Sequence, residues 1–148
     1  MTLSEVAAIS GEAGNFEVTV KEYPRYVDME KCIACGECAA KCPKKVDSEY
    51  DAATGRRTAI YVKYAQAVPL KYQIDAASCI RFKKAGACGF CEKVCPADAV
   101  NFDDTKKLHN FTVGAIVMAP GFEAFDPAPA GVWGYGRYPN VITSLQFE

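Results

Sequence analysis

The sequence predicts an α+β fold: short cysteine-bearing helices set on a small sheet of short strands. Three observations predict it. Eight cysteines fall in two runs, Cys32, Cys35, Cys38 and Cys42, then Cys79, Cys88, Cys91 and Cys95. The runs are copies of one phrase, since removing residues 81–86 turns the second into "CIACGFCEKVCP" against "CIACGECAAKCP" in the first. Around and between them, stretches such as "NFEVTV" and "RTAIYV", bounded by Gly, Pro and Asp, read as strands and turns.

The bulk properties narrow the class. With 148 residues, 50% apolar and 24% charged, the chain suits one ordinary domain or a small domain with appendages. A net charge of −1 gives no footprint of a nucleic-acid binder. "MTLSEVAAISGEAG" has no basic lead and carries Glu5 and Glu12, so it does not read as a secretory signal. The longest apolar stretch, "VGAIVMAPGF" (113–122), is about half the ~20 residues a spanning helix needs. The expectation is a soluble, cytoplasmic protein with no membrane span. In a reducing compartment dense cysteine points to metal binding or catalysis rather than to disulfides.

The first run, residues 31–45, fits the spacing C-x2-C-x2-C-x3-C-P, the bacterial-type ferredoxin run whose fourth cysteine ligates the other cluster. The spacing has a physical basis. A tight loop with cysteines three apart reaches three iron corners of a [4Fe–4S] cube, and the fourth ligand must come from another segment. Two clusters are therefore expected, one held by Cys32, Cys35, Cys38 and Cys95, the other by Cys79, Cys88, Cys91 and Cys42. Gly36 and Gly89 let the backbone approach the cluster and tolerate unusual dihedrals. Pro43 and Pro96 end the short helices carrying Cys38–Cys42 and Cys91–Cys95. Zinc is the plain alternative, but its motifs show separated C-x2-C pairs and need no third cysteine with C-P. Cys79 is the ligand most displaced by the insertion, with eight residues between it and Cys88. A dithiol sensor fits poorly, because thiolates held in clusters are not free to exchange.

Taken along the chain, "NFEVTVKEYPRYVD" (15–28) begins as a period-2 strand and Pro24 marks a boundary. "KKVDSEYDAATGRRTAIYVKY" reads as a hairpin, with a strand near 45–50, a turn at Ala52–Gly55 and "RTAIYV" returning. "VPLKYQID" (68–75) enters the second run as a strand and "AVNFDD" (99–104) leaves it as one. "TVGAIVMA" (112–119) reads as a further buried strand, followed by a Pro/Gly-rich loop. The domain expectation is a dicluster module over 24–105, flanked by 1–23 and 106–148. Ile33, Ile80, Val46 and Val100 are expected to pack on the clusters. Lys and Arg outnumber Asp and Glu by 13 to 11 from Pro24 to Thr105, with Arg56, Arg57, Arg81, Lys83 and Lys84 at the turn and insertion. Those cations either raise the reduction potential, dock an acidic partner or simply form a solvated face. His109 stands alone and reads as a solvent or capping residue.

These segments resemble a known family. "GNFEVTVKEYPRYVDMEKCIACGECAAKCP", "QAVPLKYQIDAASCI", "CGFCEKVCPADAVNFDD", "VGAIVMAPGFEAFDP" and "GYGRYPNVITSLQFE" together look like the A subunit of heterodisulfide reductase and its bacterial relatives. The resemblance implies a ferredoxin domain inserted in a thioredoxin-reductase-like flavin domain, whose strands would be the two flanks. It also implies FAD-based electron transfer alongside partner subunits of a heterodisulfide reductase-like complex. "MAPG" (118–121) stands where that flavin domain usually has an A-T-G turn, with Pro120 in place of threonine. The chain has no G-x-G-x-x-G, neither at "SGEAG" nor at "GYGRY", so FAD is expected only in the context of a longer protein. The leading function is electron transfer through two [4Fe–4S] clusters, with no catalytic residues of its own. The alternatives are one part of an FAD-dependent oxidoreductase completed by another segment, or a structural zinc module.

Overall fold

A computed structural model describes residues 1–148. Its strands are β1 (Ser4–Glu12), β2 (Asn15–Glu22), β3 (Lys45–Asp47), β4 (Arg56–Thr58), β5 (Ile60–Tyr61), β6 (Gln73–Ile74) and β7 (Lys107–Val113). Its helices are single turns: α1 (Glu37–Ala40), α2 (Ile80–Lys83), α3 (Phe90–Lys93) and α4 (Ser144–Phe147). A mixed pattern of short helices and short strands is therefore present, as the sequence predicts.

The largest sheet has the order β1-β2-β7, antiparallel throughout. β1 and β2 form a hairpin closing at the Glu12–Asn15 pair. Gly14 turns the corner at φ +93° and Gly11 takes φ +88° with no room for a Cβ against the Asn15 carbonyl, so glycine is required at Gly11 on two counts. β1 is not legible in the sequence, because its small and charged residues hide the alternation. β2 runs against β7 from Phe16–Val113 to Glu22–Lys107. The intervening residues 23–106 thus leave the sheet at the end of β2 and return to it at the start of the adjacent β7.

Inside that excursion the expected hairpin is present, with shorter strands: β3 pairs β4, Lys45 opposite Thr58 and Asp47 opposite Arg56. The return strand then breaks at the buried Ala59 and changes partner, β5 pairing β6 with Ile60 opposite Ile74. Only Gln73–Ile74 of the expected strand 68–75 pairs, because β5 offers just two residues. The segment 99–104 is likewise not a full strand. It makes one bridge, Val27–Val100, with Asp28 N donating to the Ala99 carbonyl (2.7 Å) and Asn101 N to that of Tyr26 (3.0 Å). The Asp104 carboxylate then accepts from the backbone N–H groups of Arg25 and Tyr26 at 3.0 and 3.2 Å. Entry and exit of the excursion are stapled together there.

The expected strand 112–119 is corrected. β7 ends at Val113, where its partner β2 has run out, and the last contact is Gly14 N to the Gly114 carbonyl at 3.0 Å. Beyond it the apolar run has no neighbouring strand, and Val117 is 90% exposed. An apolar sequence does not make a strand without a ladder partner. The C-terminal stretch closes with α4, whose Thr143 and Gln146 exchange side-chain-to-backbone hydrogen bonds in a capping box.

Candidate metal centres

Nine buried apolar residues form the core, and four of them are cysteines: Cys32, Cys38, Cys79 and Cys91. Cys42, Cys88 and Cys95 are half-buried and Cys35 is exposed, all eight being free thiols. Local structure explains the positions. Gly36 takes φ +90° and opens α1, which carries Cys38 inward. Gly89 opens α3, which carries Cys91. The duplication is imperfect here: Gly36 takes a positive φ, whereas Gly89 sits at φ −169° and ψ 22°. Both helices end before the last cysteine of their run, and a final turn bond places it, Cys42 N to the Ala39 carbonyl (3.1 Å) and Cys95 N to that of Glu92 (3.3 Å). Pro43 and Pro96 follow at once and stop any further turn.

Two small cavities of about 20 Å³ each open beneath these loops. The first is lined by Cys32, Cys35, Cys38 and Cys95, with Ile33, Tyr72, Ala97 and Val100 among its walls. The second is lined by Cys42, Cys79, Cys88 and Cys91, with Ile74, Ile80 and Phe90. Each thus gathers three cysteines of one run and the last of the other. Cys79 lies in the second despite the insertion, held by its backbone N–H on the Asp75 carbonyl at 2.9 Å. Ile60, 2% exposed, lines both cavities and is the wall they share.

Ile33, Ile80 and Val100 line the cavities as expected, but Val46 lines neither, because it pairs with Arg57 in the β3–β4 hairpin. Ile60 and Tyr72 are wall residues that sequence reasoning misses. Ile60 is visible only as one apolar letter in "RTAIYV", and Tyr72 as one in "VPLKYQID". His109 is a cross-strand partner rather than a cap, its Nε2 standing 2.8 Å from a Glu22 carboxylate oxygen. Arg57 is consumed by Glu49 and by Asp75 (3.2 Å), and its guanidinium stacks on Tyr61 at 3.8 Å. "MAPG" (118–121) is exposed and outside any regular element.

Burial and the crowding of like groups dominate the electrostatics of both cavities. Burial pushes the Cys38 thiol up to about 12 and the Cys91 thiol up to about 11, against opposing N–H bonds from Ala39 and Glu92, with neighbouring cysteines adding to the rise. Ala39 and Glu92 occupy the same place in the two copies. Ala99 N donates to Cys95 Sγ at 3.3 Å. Burial, then the cysteines of the first run, raise the Tyr72 hydroxyl as well. A group that spreads negative charge over several sulfurs and is bound by thiolates fits such walls; the residues present offer thiolate donors and no carboxylate or imidazole in either cavity. No helix is long and apolar enough to cross a membrane.

Comparison with known proteins adds two findings. Residues 25–46 match the family described as a 4Fe-4S binding domain. The whole chain is 47% identical, over 148 residues, to the iron–sulfur A subunit of CoB–CoM heterodisulfide reductase from Methanocaldococcus jannaschii. It is 38% identical over 148 residues to the A subunit of H(2):CoB-CoM heterodisulfide,ferredoxin reductase from Methanothermobacter marburgensis. It is 36% identical over 146 residues to the A subunit of ferredoxin:CoB-CoM heterodisulfide reductase from Methanosarcina acetivorans. The chain spans 22% of the length of the first two and 18% of the third.

Proposed function

We infer that this chain, an iron–sulfur electron-transfer module related along its whole length to a segment of the heterodisulfide reductase A subunit, holds two [4Fe–4S] clusters in its two cysteine cavities. Cys32, Cys35, Cys38 and Cys95 hold one; Cys79, Cys88, Cys91 and Cys42 hold the other. The observation that carries the reading is the lining of the cavities, three cysteines of one run with the last of its copy. Bound there, each cluster supplies a one-electron carrier. The chain's own residues supply the rest. Ile60, Ile74 and Val100 exclude water, the N–H groups of Ala39, Glu92 and Ala99 meet ligand sulfur, and Ile60 keeps the two centres apart yet adjacent.

The module itself is the segment 24–105, and the flanks 1–23 and 106–148 belong to a host domain of a longer protein. The support is topological: the module leaves and rejoins the sheet between neighbouring strands, and the relatives are several times longer than this chain. FAD, the flavin chemistry and the partner subunits of a heterodisulfide reductase-like complex belong to that longer protein, which would be soluble and cytoplasmic. The chain has no complete active site and works as a relay.

Anaerobic reconstitution tests this. The reading expects about eight iron and about eight acid-labile sulfide per chain, with the broad visible absorption of [4Fe–4S] centres and EPR signals from two reduced clusters. Zinc with no labile sulfide, or about half that iron, contradicts it.

A further inference from the structure

The two copies differ in the cations set against their ligand loops, and the difference is built by segments that lie outside the shared motif. At the second cavity the insertion folds as α2 and brings Arg81 over the loop, its guanidinium 3.4 Å from the Cys88 carbonyl and 3.6 Å from where a Cβ on Gly89 would lie. The same guanidinium stacks on the Phe102 ring at 4.3 Å, and Phe102 packs against Phe82 (5.8 Å), which packs against Tyr26 (4.5 Å). Arg81 is therefore half-buried and fixed from two sides, whereas Lys83 and Lys84 of the same insertion are exposed. At the first cavity no insertion exists. Its cation is Lys71 from the spacer, whose Nζ donates to the Cys32 carbonyl at 2.5 Å beside Tyr72 in the cavity wall.

Resting on the two-cluster reading above, we propose that Arg81 and Lys71 are separate potential-setting residues, Arg81 for the second centre and Lys71 for the first. The physical reason is local. A reduced centre carries one more negative charge than the oxidised one, so a fixed cation nearby favours reduction and raises the potential. A half-buried charge acts at short range with little salt screening, while exposed charges are largely screened beyond about 8–10 Å. The insertion thus adds a second cation at this centre, beside the half-buried Lys44 that lines its cavity, without altering the ligand spacing of either.

The test is a potentiometric EPR titration of the anaerobically reconstituted chain. The two signals are assigned with Cys35→Ser and Cys88→Ser, each of which perturbs one centre. Arg81→Gln keeps a hydrogen-bond donor and removes the charge, and is expected to lower the potential of the second centre while leaving the first nearly unmoved. Lys71→Gln is expected to do the reverse. Arg81→Lys restores most of the loss, and Lys83→Gln and Lys84→Gln shift either centre much less than Arg81→Gln. Should Arg81→Gln fail to assemble, Phe102→Leu frees the guanidinium and lowers the second potential in the same direction. An unmoved second centre in both variants, equal shifts at both centres, or Lys83→Gln matching Arg81→Gln would overturn the assignment. Absence of two cluster signals from the unmodified chain would instead sink the reading beneath it.

Discussion

At Gly36 the backbone takes φ +90° just before the helix that carries Cys38, while Gly89 in the copy has a negative φ of −169°. The two glycines look equivalent in sequence and are not. Gly36→Ala forces a Cβ into left-handed backbone, a cost of roughly 1–2 kcal/mol, whereas Gly89→Ala meets only ordinary contacts. Thermal unfolding of the reconstituted variants should show a clear drop in midpoint for Gly36→Ala and a small change for Gly89→Ala; equal effects would contradict the assignment of strain. The same limit explains which residues can be read in advance. Cysteines declare themselves by spacing, because ligand geometry fixes that spacing. Ile60 and Tyr72 do not, because a wall residue is defined by what the fold brings beside it.

Single turns do most of the positioning among the elements, and the turn at Asp75 bears on Cys79, the proposed ligand most displaced by the insertion. The Asp75 carbonyl accepts from Cys79 N, its carboxylate accepts from Ser78 N at 3.2 Å and from Arg57, and these bonds hold its carboxyl below the ordinary range although burial opposes them. Asp75→Ala removes the side-chain bonds and should weaken the turn by about 1 kcal/mol. Chelator challenge should then release iron from the second centre faster than from the first; equal release would show that the turn does not hold Cys79. Element types near the cysteines are legible because glycine, proline and the x3 spacing act locally. Strand lengths are not. Residues 112–119 carry a convincing apolar pattern, yet pairing stops at Val113 because β2 ends there, and β1 escapes notice for want of alternation. Periodicity reports what a segment wants to bury and says nothing of whether a partner strand reaches it.

For the molecule as a whole, cysteines make up nearly half of the buried core. With four cysteines among nine buried residues, little apolar surface remains to hold the proposed module, residues 24–105, together if the proposed clusters are removed. Stripping the metal anaerobically should abolish cooperative unfolding and hydrogen-exchange protection across that segment; a protected, cooperatively folding apo form would contradict it. The deepest long-range tie is the exchange of last cysteines, Cys42 to the second cavity and Cys95 to the first, across the shared Ile60. Mössbauer and EPR spectra of reconstituted Cys42→Ser test that exchange most directly. The account predicts an altered or three-iron signal at the centre bound by Cys79, Cys88 and Cys91, with the centre bound by Cys32, Cys35 and Cys38 intact. Damage confined to the latter would contradict it.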